Sequence, residues 1–137
     1  MPDPISSSVT VCEAVLTEKS EMLSLIRIMD TLTLPAGAPF ARFFALTRIH
    51  SQPGDFLPHV LQVRIALPDG NGWAIIATAP EHKFVYGHRL DTVAPGGLNL
   101  TTEFNLDLRP LRTPGTYFVQ AFLDGAYLNQ CPLTLRR

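Results

Sequence analysis

Four histidines are the side chains of this sequence best suited to metal binding or proton transfer, namely His50, His59, His82 and His88. Histidine ligands of one metal ion usually lie close together in sequence, on adjacent turns of a helix or in alternation along a strand. These four are dispersed, so the sequence favours solvated or hydrogen-bonded histidines. A metal site that gathers His82, His88 and Asp91 from one irregular segment is the alternative hypothesis.

Two carboxylates, Glu13 and Asp30, interrupt otherwise apolar stretches. Because a buried carboxylate without a partner is strongly unfavourable, these residues are candidates for an acid–base couple if their strands adjoin in the right register. The structural alternative pairs Glu13 with Arg27 or Lys19 and leaves Asp30 at a bend or facing solvent. We favour the structural alternative.

No familiar catalytic or cofactor motif accompanies these residues. The sequence lacks the Gly-x-Ser-x-Gly of hydrolase nucleophiles and the glycine-rich signatures that hold phosphates or dinucleotides. Asp69-Gly70-Asn71-Gly72 resembles the start of a calcium loop, but the later oxygen ligands and the closing acidic residue are missing. We therefore predict a turn there, assign no catalytic, metal or cofactor-binding residue, and expect a protein that is not an enzyme.

The two cysteines, Cys12 and Cys131, lie near opposite ends of the chain. Two distant cysteines are too few for a cysteine-based zinc site. We expect buried free thiols, the usual state in a reducing compartment. A disulfide that ties the first strand to the last is the alternative.

Composition limits the classes of partner. The chain has 137 residues, 46% hydrophobic and 17% charged, with a formal net charge of −1, which is typical of one globular domain. Its charges are scattered, so no basic surface for nucleic acid or for an anionic membrane is expected. The first residues lack the features of a secretory signal and no stretch approaches transmembrane length, so we expect a cytoplasmic location.

Twelve prolines and nine glycines divide the chain into short segments and favour strands over long helices. Apolar–polar alternation, or an apolar run of strand length, predicts each strand. Asp124-Gly125 is a favoured pair for the type I′ turn of a hairpin. The predicted strands are 9–16, 22–34, 40–49, 60–67, 73–79, 98–109 and the two hairpin arms, 116–123 and 126–135.

Two of the predicted strands are irregular. Alternation in 22–34 changes phase, which predicts a bulge near Leu25-Ile26, with a helix over 21–29 as the alternative. In the hairpin, a two-residue loop places Ala121 opposite Leu128. Continuing that register puts Leu133 and Leu135 on the face of Phe118 and Phe122, so either both faces are partly covered or a bulge around 130–132 resets the alternation. We expect a partner strand on this outer arm.

About eight strands with little or no helix predict an all-β protein, a single-domain antiparallel β-sandwich of immunoglobulin-like or C2-like type. We expect a flexible leader over 1–8 and the sandwich over 9–137. The irregular segment 80–97 is the best candidate for a functional loop. A short edge strand followed by a crossover is the interpretation that we favour there.

The chain resembles a family of small bacterial β-sandwich proteins that is a domain of unknown function. The likeness rests on Cys12-Glu13, Leu25-Ile26-Arg27-Ile28-Met29-Asp30, Pro114-Gly115-Thr116-Tyr117, Leu123-Asp124-Gly125 and Pro132-Leu133. It spans most of the chain apart from 80–97. The resemblance implies the sandwich fold and carries no activity, cofactor or site.

Three functional hypotheses follow. The first is a non-enzymatic binding or assembly module with a protein partner, which self-associates through an exposed strand edge or apolar patch. The second is a sandwich that binds a small ligand or carbohydrate, with Trp73, Tyr86 or Tyr127 as stacking platforms. The third, which we favour least, is a hydrolase that uses the carboxylates or the histidines.

Overall fold

Ten β-strands make up most of the chain that the computed structural model describes, which comprises residues 4–17, 23–33, 40–52, 54–86, 97–107 and 115–136. The strands are β1 (Ser6–Thr17), β2 (Leu23–Ile28), β3 (Thr31–Thr33), β4 (Phe40–His50), β5 (Pro58–Asp69), β6 (Gly72–Thr78), β7 (His82–Val85), β8 (Gly97–Asp107), β9 (Gly115–Leu123) and β10 (Ala126–Arg136). None of the described residues forms a helix that is long and apolar enough to cross a membrane.

The strands form two sheets that pack face to face. One sheet has four strands in the order β2-β1-β4-β8, and the other has six, in the order β3-β10-β9-β5-β6 with β7 also paired to β5. Every described pair is antiparallel except β3 with β10. The predicted β-sandwich is therefore confirmed.

The core lies between the sheets and follows the alternation of the sequence, because successive side chains of a strand point to opposite faces. Phe43 of β4 and Phe104 of β8 stack with ring centroids 5.4 Å apart. Facing them, β5 and β9 contribute buried residues such as Leu61 and Val119.

The structure has more strands than the eight predicted because one predicted strand is divided into two and a short edge strand follows residue 79. Residues 23–33 begin in the four-stranded sheet as β2 and end in the six-stranded sheet as β3. At the break, Met29 N donates to Val11 O (2.9 Å), and Thr134 N donates to Asp30 O (2.8 Å). The segment is a strand as predicted, and the helix alternative is wrong.

The predicted bulge near Leu25-Ile26 is also wrong. Residues of β2 pair with β1 in one constant register on both sides of this position. Ile26 and Ile28, whose positions suggested the change of phase, are exposed (40% and 67%). The segment exchanges one sheet for the other only beyond them, at Met29 and Asp30.

The other additional strand, β7, lies in the irregular segment that follows residue 79. β6 pairs with the end of β5 and β7 pairs with its beginning, and between them Ala79 N donates to Val63 O (3.0 Å). β7 is the short edge strand that we favoured. Residues 87–96, which include the rest of that segment, lie outside the described residues.

The hairpin has the predicted turn but a different bulge. Asp124 and Gly125 have φ angles of +51° and +83°, as a type I′ turn requires. The register shifts between Tyr127 and Asn129, so Ala121 lies opposite Asn129 rather than Leu128. This earlier bulge turns Leu133 inward, opposite Tyr117. Leu133 and Leu135 therefore do not lie on the face of Phe118 and Phe122, where the predicted register had placed them.

The leader predicted over 1–8 is too long. Ser6, Ser7 and Ser8 belong to β1 and pair with β4, and Ile5 N donates to His50 O (2.8 Å). Serine has little preference for strands, but the backbone of an adjacent strand offers hydrogen bonds that outweigh it. Residues 1–3 lie outside the described residues.

Two buried threonines provide a matched test of the core. Thr47 is fully buried, and its Oγ1 has no hydrogen-bond partner in the described part of the chain. Thr102 is also buried, but its Oγ1 lies 3.1 Å from His82 Nε2. Because an unpaired buried hydroxyl is unfavourable, we expect Thr47→Val to raise the free energy of unfolding by about 1 kcal/mol and Thr102→Val to lower it by about as much.

Urea denaturation of the two variants beside the wild type measures this difference. A loss of stability in Thr47→Val as large as that in Thr102→Val would contradict the assignment of an unpaired hydroxyl at Thr47.

Candidate functional site

The most concentrated group of ionisable side chains lies at one end of the six-stranded sheet, around His59. Its Nδ1 lies 2.7 Å from Asp124 Oδ2, and its Nε2 lies 2.9 Å from both oxygens of Asp55. The side chain of His59 is 1% exposed and that of Asp55 4% exposed. We call these three residues the histidine clamp.

Local structure explains how each carboxylate reaches the ring. Asp124 sits in the type I′ turn between β9 and β10, where its N donates to Val60 O (2.9 Å) and its Oδ1 accepts from Val60 N (2.9 Å). Asp55 lies in the connection before β5, and its Oδ1 accepts from Leu57 N (3.1 Å). Both aspartates are therefore fixed by the backbone around β5 before they meet the imidazole.

Aromatic rings cover the remaining sides of the imidazole. The rings of Phe84 and Tyr86 lie with centroids 5.7 Å and 5.1 Å from that of His59. Tyr86 is 3% exposed. Its burial, together with the negative charges of Asp55 and Asp124, raises its pKa to about 12.

Burial and the two carboxylates have opposite effects on the pKa of His59. Burial alone lowers the pKa of a histidine, but the hydrogen bonds and charges of Asp124 and Asp55 outweigh it and raise the pKa of His59 above its ordinary 6.5. Ionised carboxylates only accept hydrogen bonds, so this geometry favours a ring with protons on both nitrogens, the imidazolium. With both N–H groups bonded, His59 has no free nitrogen with which to act as a general base.

The two carboxylates singled out from the sequence occupy exposed positions. Glu13 Oε2 lies 3.3 Å from Arg27 Nη1, in an ion pair whose side chains are 52% and 80% exposed. Asp30 is exposed at the bend between β2 and β3. Both residues thus match the structural alternative, because neither carboxylate is enclosed in a site that would favour proton transfer.

The two other histidines among the described residues each form a hydrogen bond with a hydroxyl group. His50 Nδ1 lies 3.2 Å from Ser6 Oγ, and His82 contacts Thr102. His88 and Asp91, the other members of the hypothetical metal site, lie outside the described residues. Within the described ranges, no group of three His, Cys, Asp or Glu side chains is arranged to hold a metal ion.

Both cysteines are free thiols, so the alternative of a disulfide is not realised. Cys12 is fully buried in β1, and Cys131 is half-buried in β10. Burial raises the pKa of both thiols, which keeps them in the less reactive neutral form.

The aromatic residues proposed as stacking platforms do not share one environment. Tyr86 is buried in the histidine clamp. Trp73 and Tyr127 are 43% and 58% exposed on the outer face of the six-stranded sheet, beside Phe118 and Phe122 respectively. We call this surface the aromatic face.

Between the two aromatic pairs, three polar side chains form a hydrogen-bonded row. Arg64 Nε donates to Gln120 Oε1 (3.0 Å), and Gln120 Nε2 donates to Gln130 Oε1 (3.0 Å). The guanidinium of Arg64 also lies 4.2 Å from the ring centroid of Phe122, a favourable cation–π distance.

Comparison with known proteins identifies the family. A family model described as "Family of unknown function (DUF6941)" matches residues 7–136. The chain belongs to this family. Among curated proteins, none matches the sequence.

Two solved structures resemble the fold of this DUF6941 member. One is the Pseudomonas fluorescens alkylpurine DNA glycosylase AlkC bound to DNA containing an abasic site analog, with a TM-score of 0.53 and 13% identity over 94% of this chain and 30% of that one. The other is the Listeria innocua β-glucosidase in complex with gluconolactone, with a TM-score of 0.54 and 10% identity over 96% of this chain and 16% of that one. This chain therefore covers less than a third of the length of either protein, and the likeness shows the fold alone.

The histidine clamp predicts a pH-dependent stability. Because the pKa of His59 is higher in the folded protein than its ordinary 6.5, the clamp stabilises fully below pH 6.5 and loses this contribution as the pH rises through the folded-state pKa. Tyr86, with a pKa of about 12, stays neutral in this range. We expect His59→Gln to cost about 3 kcal/mol of unfolding free energy at pH 6 and less at higher pH.

Denaturation at a series of pH values measures both effects. His82→Gln is the matched control, since that residue contacts a hydroxyl rather than carboxylates, and it should retain the pH dependence of the wild type. The same pH dependence in His59→Gln as in the wild type would refute the imidazolium.

Proposed function

We propose that this chain is a non-enzymatic assembly module that forms dimers through the edge strand β6. The observation that carries the proposal is the character of this strand. β6 is the last strand of the six-stranded sheet in the described part of the chain, and its sequence, Gly-Trp-Ala-Ile-Ile-Ala-Thr, contains no charge and no proline.

Such an edge is unusual in a protein that remains monomeric. Soluble proteins generally protect their edge strands with charged residues, proline or bulges, because unpaired backbone groups invite another strand. β6 has one register shift against β5, between its Ile75 and Ala77, but neither a charge nor a proline along its length. The two large apolar side chains of β6 on the outer face, Trp73 and Ile75, are 43% and 55% exposed. Pairing of β6 with a partner strand would satisfy its backbone and remove these side chains from water.

A second copy of this chain is the partner that fits best. Two identical β6 strands can pair antiparallel around a twofold axis, so that each contributes the same surface. β6 carries no charge that would repel its own copy. The two six-stranded sheets would then join into one continuous sheet.

Assembly rather than catalysis also agrees with the chemistry of the described residues. Both nitrogens of His59 are held by carboxylates, and Glu13 is paired with Arg27. The net charge of −1 offers no support for binding to nucleic acid. Two free thiols support a cytoplasmic location.

A charge placed on the edge tests the dimer. We expect the wild type to form dimers that dissociate on dilution and Ile75→Lys to be monomeric, because pairing would bring two lysines close to each other on one face. Ile5→Lys, at a residue with similar exposure (52%) in the connection before β1, is the matched control and should still dimerise. Sedimentation velocity over a range of concentrations distinguishes these outcomes, and a wild type that stays monomeric throughout would overturn the proposal.

Carbohydrate binding is a second candidate, supported by the arrangement of the aromatic face. Exposed Trp73 and Tyr127 flank the polar row of Arg64, Gln120 and Gln130. Phe118 and Phe122 lie four residues apart on β9, so the two aromatic pairs are about 13 Å apart along the strand. Aromatic rings separated by hydrogen-bonding groups suit a sugar chain, whose rings have both apolar faces and hydroxyls.

Tyr127 separates the two candidate functions because it lies far from β6, on β10. If the face binds sugar, Tyr127→Ala should weaken binding of a β-1,4-linked glucose hexamer about 3- to 10-fold and leave the dimer intact. Isothermal titration calorimetry measures the affinity. Absence of binding by the wild type excludes this ligand class for the aromatic face without affecting the dimer proposal.

A further inference from the structure

A groove of about 370 Å³ lies on the outer face of the four-stranded sheet, the surface directed away from the core. Residues from all four strands line it, namely Ser8 and Thr10 of β1, Leu23, Leu25 and Ile28 of β2, Leu46 and Arg48 of β4, and Asn99 of β8. Its volume is in the range of sites that hold small ligands.

One wall and the floor of the groove are apolar. Leu46 lies between the core-directed residues Ala45 and Thr47 and therefore points to the outer face, yet it is only 3% exposed and does not belong to the main core. The leucines of β2 line the same groove. The groove thus has an aliphatic floor at Leu46 that is already removed from bulk water.

The opposite rim is polar and carries one cation. Ser8, Arg48 and Asn99 lie side by side on three adjacent strands. Arg48 Nε donates to Asn99 Oδ1 (3.1 Å), which orients the guanidinium. Arg48 has no ion-pair partner in the described part of the chain, and the described residues that line the groove include no Asp or Glu.

Arg42, unlike Arg48, has an ion-pair partner in the described part of the chain. It lies on the same strand and the same face, but its Nε is 2.7 Å from Glu103 Oε1. An arginine that is oriented by a neutral amide, and not neutralised by a carboxylate, keeps its remaining N–H groups and its full charge for an anion.

We propose that this groove binds a small aliphatic carboxylate, with the carboxylate on Arg48 and the hydrocarbon chain against Leu25, Ile28 and Leu46. Guanidinium and carboxylate form two parallel hydrogen bonds, which makes the carboxylate a good match in shape as well as charge. Since a water molecule occupies about 30 Å³ in the liquid, the groove has room for about a dozen non-hydrogen atoms. Octanoate is of this size. The proposal is independent of the dimer, which uses the other sheet.

Titration with octanoate, followed by isothermal calorimetry and by NMR shifts of the Leu25 and Leu46 methyl groups, tests the proposal. We expect wild type and Arg42→Gln to bind alike, and Arg48→Gln to bind about tenfold or more weakly, the effect of losing a charged hydrogen bond. Ile28→Glu, at a side chain that is 67% exposed, should also weaken binding by placing a negative charge in the groove. Thermal unfolding confirms that each variant is folded.

Three results would overturn the proposal. They are absence of octanoate binding up to its solubility limit, equal binding by Arg48→Gln, and shifts that fall outside the groove. Octanol and octylamine test the role of charge, and both should bind more weakly than octanoate. If an acetylated tripeptide that ends in leucine binds more tightly than octanoate, the occupant of the groove is the C-terminus of a peptide and not a small molecule.

Discussion

The histidine clamp is the interaction on which one end of the six-stranded sheet depends. It joins the connection before β5, the first residues of β5 and the turn between β9 and β10 through a single imidazole. Removing a charged ring from water is costly unless each N–H finds an acceptor. Here each ring nitrogen of His59 lies against a carboxylate oxygen, and the two carboxylates stabilise a positive charge on the buried ring.

A second constraint acts at the opposite edge of the same sheet. The segment 23–33 crosses from one sheet to the other, so its second half, β3, pairs with β10 while its first half, β2, remains beside β1. β3 covers part of the β10 edge of the six-stranded sheet, whose opposite edge is formed by β6 and β7, while β2 forms the aliphatic wall beside Arg48.

The two proposed surfaces use different physical principles. The β6 edge offers unpaired backbone groups and two exposed apolar side chains, which any strand of suitable sequence can cover. The groove instead combines aliphatic side chains with one oriented cation, which selects a ligand by charge and size. Because they lie on different sheets, occupation of one does not block the other.

Much of the fold could be predicted because burial imposes a period of two on a strand. Phe104 and Leu106 alternate with polar residues, and the structure places them inward as the pattern indicates. The positions of irregularities were harder to predict. The phase change in 22–34 is equally consistent with a bulge or with exchange of sheets, and the bulge at Leu128 became evident only from the pairing with β9.

The histidine clamp could not be predicted, although its parts are visible in the sequence. Asp55 and His59 are four residues apart, but Asp124 is 65 residues beyond His59 and had been assigned only a turn. Its carboxylate is available to His59 because the turn sits against β5, a contact between distant segments. For the same reason, nothing local distinguished Arg48, which has no ion-pair partner among the described residues, from Arg42, which pairs with Glu103 on the neighbouring strand.

The sequence by itself determined the class of fold, the turn at Asp124-Gly125 and most strand boundaries, because these depend on local conformational preference and on the alternation of side chains between core and water. Only the tertiary structure decided which charges are paired, which strand is left at an edge and where a groove forms. Those features depend on contacts between residues far apart in the chain, and such contacts leave no periodic signal in the sequence.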